Sequence, residues 1–95
     1  MSPNDRIPAH PGTILKEEFL DELGVSQVAF AAHVQVPVQR INEIVRGKRG
    51  ITSETAWLLA QALDTTPEFW LNLKAAHDLA LNRQPKAIAK LRLAS

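Results

Sequence analysis

The chain has 95 residues, 45% of them hydrophobic, with a formal net charge of +1 and no cysteine. That length supports one small core and not two, and the lack of cysteine excludes a disulfide framework and a thiolate metal site. No apolar run approaches the roughly 20 residues of a membrane span, and the first residues do not follow the pattern of a signal peptide, so a cytoplasmic protein without a membrane partner is expected.

Residues 1–10 hold Pro3 and Pro8 without periodicity and read as an extended N-terminal tail. A first helix is predicted from Gly12 to Leu23, entered through Pro11 and ended by Gly24. Ile14, Leu15, Phe19 and Leu23 share one of its faces, and Lys16, Glu17, Asp21 and Glu22 the other. Ser26 can cap a short second helix. Val28, Ala31 and Ala32 give it a buried face, and it should end near His33. Pro37 suits the first position of a third helix. Ile41, Ile44 and Val45 form its stripe down to Arg46, and Gly47 is a natural left-handed residue beyond its end. Thr52, Ser53 and Glu54 start a fourth helix with a core stripe of Ala56, Leu59, Ala60 and Leu63. Trp57 and Leu58 lie beside that stripe, as peripheral core or as part of a dimer seam. Thr66, Pro67 and Glu68 open a fifth helix that runs to Asn82. Phe69, Leu73, Ala76 and Ala80 fall at helical spacing there, and Trp70 and Leu79 widen the apolar face. Lys86 to Ala94 reads as one more short amphipathic helix, with Ile88 and Leu91 inward. The fold class is therefore all-α, with a tail over 1–10, a helical domain over 11–82 and a helical extension over 83–95.

The second and third helices, separated by a tight turn, make a helix-turn-helix pattern. Gln27, Ala31 and Ile41 fit its usual signature, whereas Gln35 stands where glycine is normal. A positive φ there would cost about 1 kcal/mol. A helical hairpin that merely packs is the competing reading, and the distribution of charge bears on the choice. Residues 1–33 carry two bases against five acids, residues 34–50 four bases against one acid, and the remainder five against four. Positive charge thus gathers on the third helix and the loop after it, where a phosphate backbone would lie if that helix entered a groove. The acidic first helix faces away from DNA or toward a partner.

In that geometry the start of the third helix points into the major groove and the second helix crosses the backbone. Gln27 would offer its side chain and nearby N–H groups to a phosphate. Gln39 can pair its amide with adenine, and Val38 can meet only a methyl surface, which suits thymine. Arg40 is a base or phosphate contact, unless Glu43 three residues on takes it as an ion-pair partner. Arg46, Lys48 and Arg49 look like backbone clamps, adding salt-dependent affinity without sequence information. Arg6 is either a further arm toward DNA or a solvated charge. Useful affinity implies a homodimer on two half-sites about 34 Å apart. No catalytic residue, metal site or cofactor is expected: His10, His33 and His77 are scattered over different segments, and no glycine-rich phosphate loop is present.

The order of these elements resembles that of the small lambda-repressor-like, Cro/C1-type domains, with five helices and the helix-turn-helix at the second and third. Three stretches go further. The runs HPGTILKEEFLDELGVSQ, RINEIVRGKRGIT and TPEFWLNL closely resemble the HigA group of antitoxins within the Xre-like helix-turn-helix family, over roughly residues 9 to 82. That resemblance implies a protein that neutralises a HigB-like, mRNA-cleaving toxin and represses its own operon as a dimer. It also implies DNA-facing positions at Gln27, Val38, Gln39, Arg40, Arg46, Lys48 and Arg49. A stand-alone Xre-type regulator, or a mainly toxin-binding module with weak DNA binding, are the alternatives.

Overall fold

A computed structural model describes residues 7–83 and 86–92 of the chain. Among them are five helices, and each begins where side-chain chemistry lets it. Three contiguous stretches, Pro11–Ile14, Leu15–Leu20 and Asp21–Leu23, form the first, α1. The His10 imidazole accepts the Gly12 N–H through Nδ1 at 2.9 Å, and Pro11 occupies the first turn, so the orphan donors there are partly met. The middle stretch is π-wound, with bonds reaching one residue further back than in an α-helix: the Asp21 N–H donates to the Lys16 carbonyl. This wider winding brings Leu15 and Leu20 onto one buried face. It turns Leu23, expected inside by the ordinary helical period, out to 63% exposure. Gly24 ends α1 at φ 67°.

Two eight-residue helices follow, α2 (Gln27–Val34) and α3 (Val38–Val45). The Ser26 hydroxyl accepts the Ala29 N–H at 3.0 Å, as its position predicts. The buried face of α2 is Phe30 and Ala31, while Val28 and Ala32, expected inside, are exposed. One short helix cannot bury both sides, and the aromatic removes more apolar surface from water than either the valine or the alanine. Gln35 takes the left-handed conformation, φ 61° and ψ 46°, and its own N–H and that of Val36 return to the Ala31 and Ala32 carbonyls. Pro37 sits at the N-cap of α3 with ψ 140°, one residue outside the helix it was expected to begin. Ile41 and Ile44 are buried on α3.

The remaining helices are α4 (Ser53–Leu63) and α5 (Pro67–Leu81). Thr52 and Thr66 cap them, accepting the Thr55 and Phe69 N–H groups at 3.2 and 3.1 Å. Ala56, Leu59 and Ala60 are buried on α4. Trp70 lies at the centre of the core, 5.3 Å from the Phe19 ring and 5.1 Å from Phe69. Its indole N–H donates to Thr65 Oγ1 at 2.7 Å, which is what allows so polar-tipped a ring to be fully covered. Phe69 beside it is partly exposed. Trp57, at 58% exposure, is not peripheral core. Residues 86–92 are not helical, in contrast to the helix expected over Lys86 to Ala94. So short a segment, beside no covering face, gains too little to nucleate a helix. Ala94 and Arg6 lie outside the described residues.

Candidate nucleic-acid interface

The position of α3 is set from behind by glycine. A Cβ on Gly12 would collide with the Ile44 carbonyl oxygen and stand 2.9 Å from the Val45 Cα, so α1 touches α3 backbone to backbone. With Ile41 and Ile44 turned inward, the opposite side of α3 presents Val38, Gln39, Arg40, Asn42 and Glu43. Arg46 ends the helix, and Gly47 at φ 75° reverses the chain. The Lys48 and Arg49 N–H groups then both donate to the Glu43 carbonyl, at 2.8 and 3.2 Å, which folds the basic loop back beside α3. Ile51, buried just before the Thr52 cap, anchors the far end of that loop.

Side chains complete the arrangement in a way spacing did not foretell. Arg40 Nη1 lies 3.8 Å from Glu54 Oε1 of α4, and Arg49 Nη2 lies 3.4 Å from Glu43 Oε1. The Arg40–Glu43 pair that the spacing left open as an alternative does not form: Arg49, carried back by the loop, pairs with Glu43, and Arg40 turns to Glu54. Pro37, Gln39, Arg40, Glu43 and Arg49 line a shallow cleft of about 300 Å³. Of the residues expected to face DNA, Gln39, Arg40 and Arg49 are brought together there. Val38 flanks the cleft in sequence, Arg46 and Lys48 are exposed on the adjoining loop, and Gln27 stands apart at the half-buried start of α2. Glu54 and Ile51 are the participants that sequence reasoning missed. An apolar residue immediately before a helix cap was the available sign for Ile51, whereas nothing local marks the reach of Arg40 to Glu54.

Behind the loop sits a small polar cluster. The His10 ring packs edge-on to His77 at 5.1 Å and lies beneath Gly47, where an added Cβ would be 3.7 Å from it. Burial first, and then the neighbouring His77, push the His10 imidazole below its ordinary value of 6.5, with Asp78 opposing them. His77 Nδ1–H donates to the Pro8 carbonyl at 2.7 Å, tying the start of the described chain to α5.

A short helix, a left-handed turn and a second helix whose outer face is polar and cationic define a helix-turn-helix domain. The helix-turn-helix family model matches residues 15–70. Virulence-associated protein I of Dichelobacter nodosus is 43% identical over 83 residues, spanning 87% of this chain and 77% of the relative. The solved structure of Pseudomonas aeruginosa antitoxin HigA with the higBA promoter superposes with a TM-score of 0.75 at 42% identity, covering 78% of this chain and 80% of that one. Antitoxin GraA in complex with its operator superposes at 0.83 with 38% identity, covering 98% and 100%. The chain belongs to the helix-turn-helix family, in the branch that holds the HigA antitoxins.

Proposed function

We propose that this protein is a sequence-specific DNA-binding repressor and the antitoxin of a HigB–HigA-type pair, binding operator DNA as a homodimer and neutralising an mRNA-cleaving toxin. The observation that carries the reading is the cleft in which Gln39, Arg40 and Arg49 meet on the outer face of α3, in a chain whose HigA and GraA relatives have been solved on promoter and operator DNA. Gln39 would read adenine and Val38 a thymine methyl. Arg40 would reach a base edge or phosphate, and Gln27, Arg46, Lys48 and Arg49 would hold the backbone on either side. The ion pairs to Glu54 and Glu43 are solvent-exposed, each contributing about 1 kcal/mol or less. Exchanging them for phosphate is therefore inexpensive.

The test is a titration of the protein onto a duplex from its own promoter and onto a scrambled duplex, at several salt concentrations. Tight binding to the first alone is expected. Four cationic contacts from each of two copies would give a slope of log K against log salt of about −7. Equal binding to both duplexes would overturn the repressor reading. Co-expression with a HigB-like toxin, sought as a short open reading frame for a basic protein beside this gene, tests the antitoxin role, which fails if growth arrest is not relieved.

A further inference from the structure

An apolar groove lies at the end of α1, and none of its lining belongs to α3 or the basic loop. Leu20 and Leu23 of α1, Ala29 and Phe30 of α2, and Ala62 and Leu63 of α4 enclose about 330 Å³ there. Leu23 stands 63% exposed at its edge. His33 also lines the groove, and exposed carboxylates adjoin its residues in the chain: Glu17, Glu18, Asp21 and Glu22 on α1 and Asp64 after Leu63, with Lys16 paired to Asp21 at 3.0 Å.

The opposite chemistry occurs in residues 86–92, which carry Lys86, Lys90 and Arg92, no acid, and two large apolar side chains. Every residue of this segment is exposed, Ile88 to 68% and Leu91 to 91%. No residue of the segment lines the groove of its own copy. Phe19 packs against Phe69, and His10 against His77, so α1 and α5 run antiparallel and the groove lies beside the start of α5. The segment departs beyond the other end of that 15-residue helix, about 22 Å away along its axis.

We propose that residues 86–92 of one copy lie in the groove of a second copy, with Ile88 and Leu91 on its apolar floor and the three cations toward the exposed carboxylates that adjoin it in the chain. Each copy has one segment and one groove, so a twofold axis satisfies both and closes the assembly as a dimer. The inference gives a surface to the dimer of the reading above and depends on that dimer, but not on DNA.

The absence of cysteine from the chain makes a clean test possible. Full-length Leu23→Cys and Leu91→Cys copies are mixed under mild oxidation without DNA. A disulfide-linked heterodimer in clear excess over the products of either variant alone is expected, and its absence would overturn the inference. The Leu23→Cys/Leu91→Cys double variant should likewise give linked dimers, whereas an internally linked monomer would overturn the exchange. Ile88→Ser with Leu91→Ser leaves the helical body untouched and should raise the dimer dissociation constant, read by sedimentation, by at least about tenfold, the worth of roughly one buried aliphatic side chain. An unchanged constant contradicts the proposal. Promoter affinity measured on the unsubstituted protein separates the two readings: tight promoter binding with no cross-link sinks this inference alone, and the cross-link without promoter binding sinks the repressor reading alone.

Discussion

Two junctions place α3, and they treat glycine in opposite ways. At the first, α1 meets α3 at Gly12, and any side chain would enter the space of the Ile44 carbonyl. At the second, α2 turns into α3 through Gln35, whose φ of 61° suits glycine yet is filled by a larger residue. The difference lies in what the violation costs. A collision with packed backbone can be relieved only by moving the helix that carries Gln39 and Arg40, whereas a left-handed side chain costs about 1 kcal/mol and moves nothing. The junction that fixes the orientation of the outer face of α3 is thus the intolerant one.

Breaking the first junction should have the largest effect. Gly12→Ala is expected to destabilise the fold by about 2–3 kcal/mol through overpacking, seen as a lowered midpoint in chemical denaturation, and to weaken promoter binding in the fraction that folds. Sharpening the second should do the reverse on a smaller scale. Gln35→Gly relieves the strain but adds freedom to the unfolded chain, for a net gain of roughly 0.5 kcal/mol. An equal loss from the two substitutions would mean that the junctions do not differ as described.

The smallest effect concerns the cap of α1 beside the first junction. His10 has its folded-state value depressed below 6.5, chiefly by burial. Its contribution to stability is therefore present above that pH and lost as pH falls through the folded value, because the protonated ring is favoured in the unfolded chain. Protonation at Nδ1 also removes the acceptor for the Gly12 N–H. Denaturation midpoints should fall modestly below pH 6.5, and His10→Asn, which keeps a capping acceptor, should flatten that dependence.

Features governed by neighbours in sequence were legible before the fold was known. Ser26, Thr52 and Thr66 cap the helices they precede, and Gly47 and Gln35 take the positive φ their positions demand. Features that depend on a distant partner were not. Gly12 reads as an ordinary first-turn residue until α3 is laid against it. Leu20 is buried in place of Leu23 because α1 winds more widely than the period used to read it. Arg40 finds Glu54 rather than Glu43 only once the loop has carried Arg49 back. The segment over residues 86–92 has the amphipathic spacing of a helix but no face of its own to cover it.

On the proposed reading, α3 recognises sequence through Gln39 while the surrounding cations supply affinity of no particular sequence. The most direct measurement is the affinity of Gln39→Ala for the promoter duplex and for its scrambled counterpart at one salt concentration. Promoter affinity should fall by about tenfold or more, the worth of one bidentate base contact, while scrambled-duplex affinity stays the same. An undiminished ratio between the two duplexes would mean that Gln39 does not read the operator.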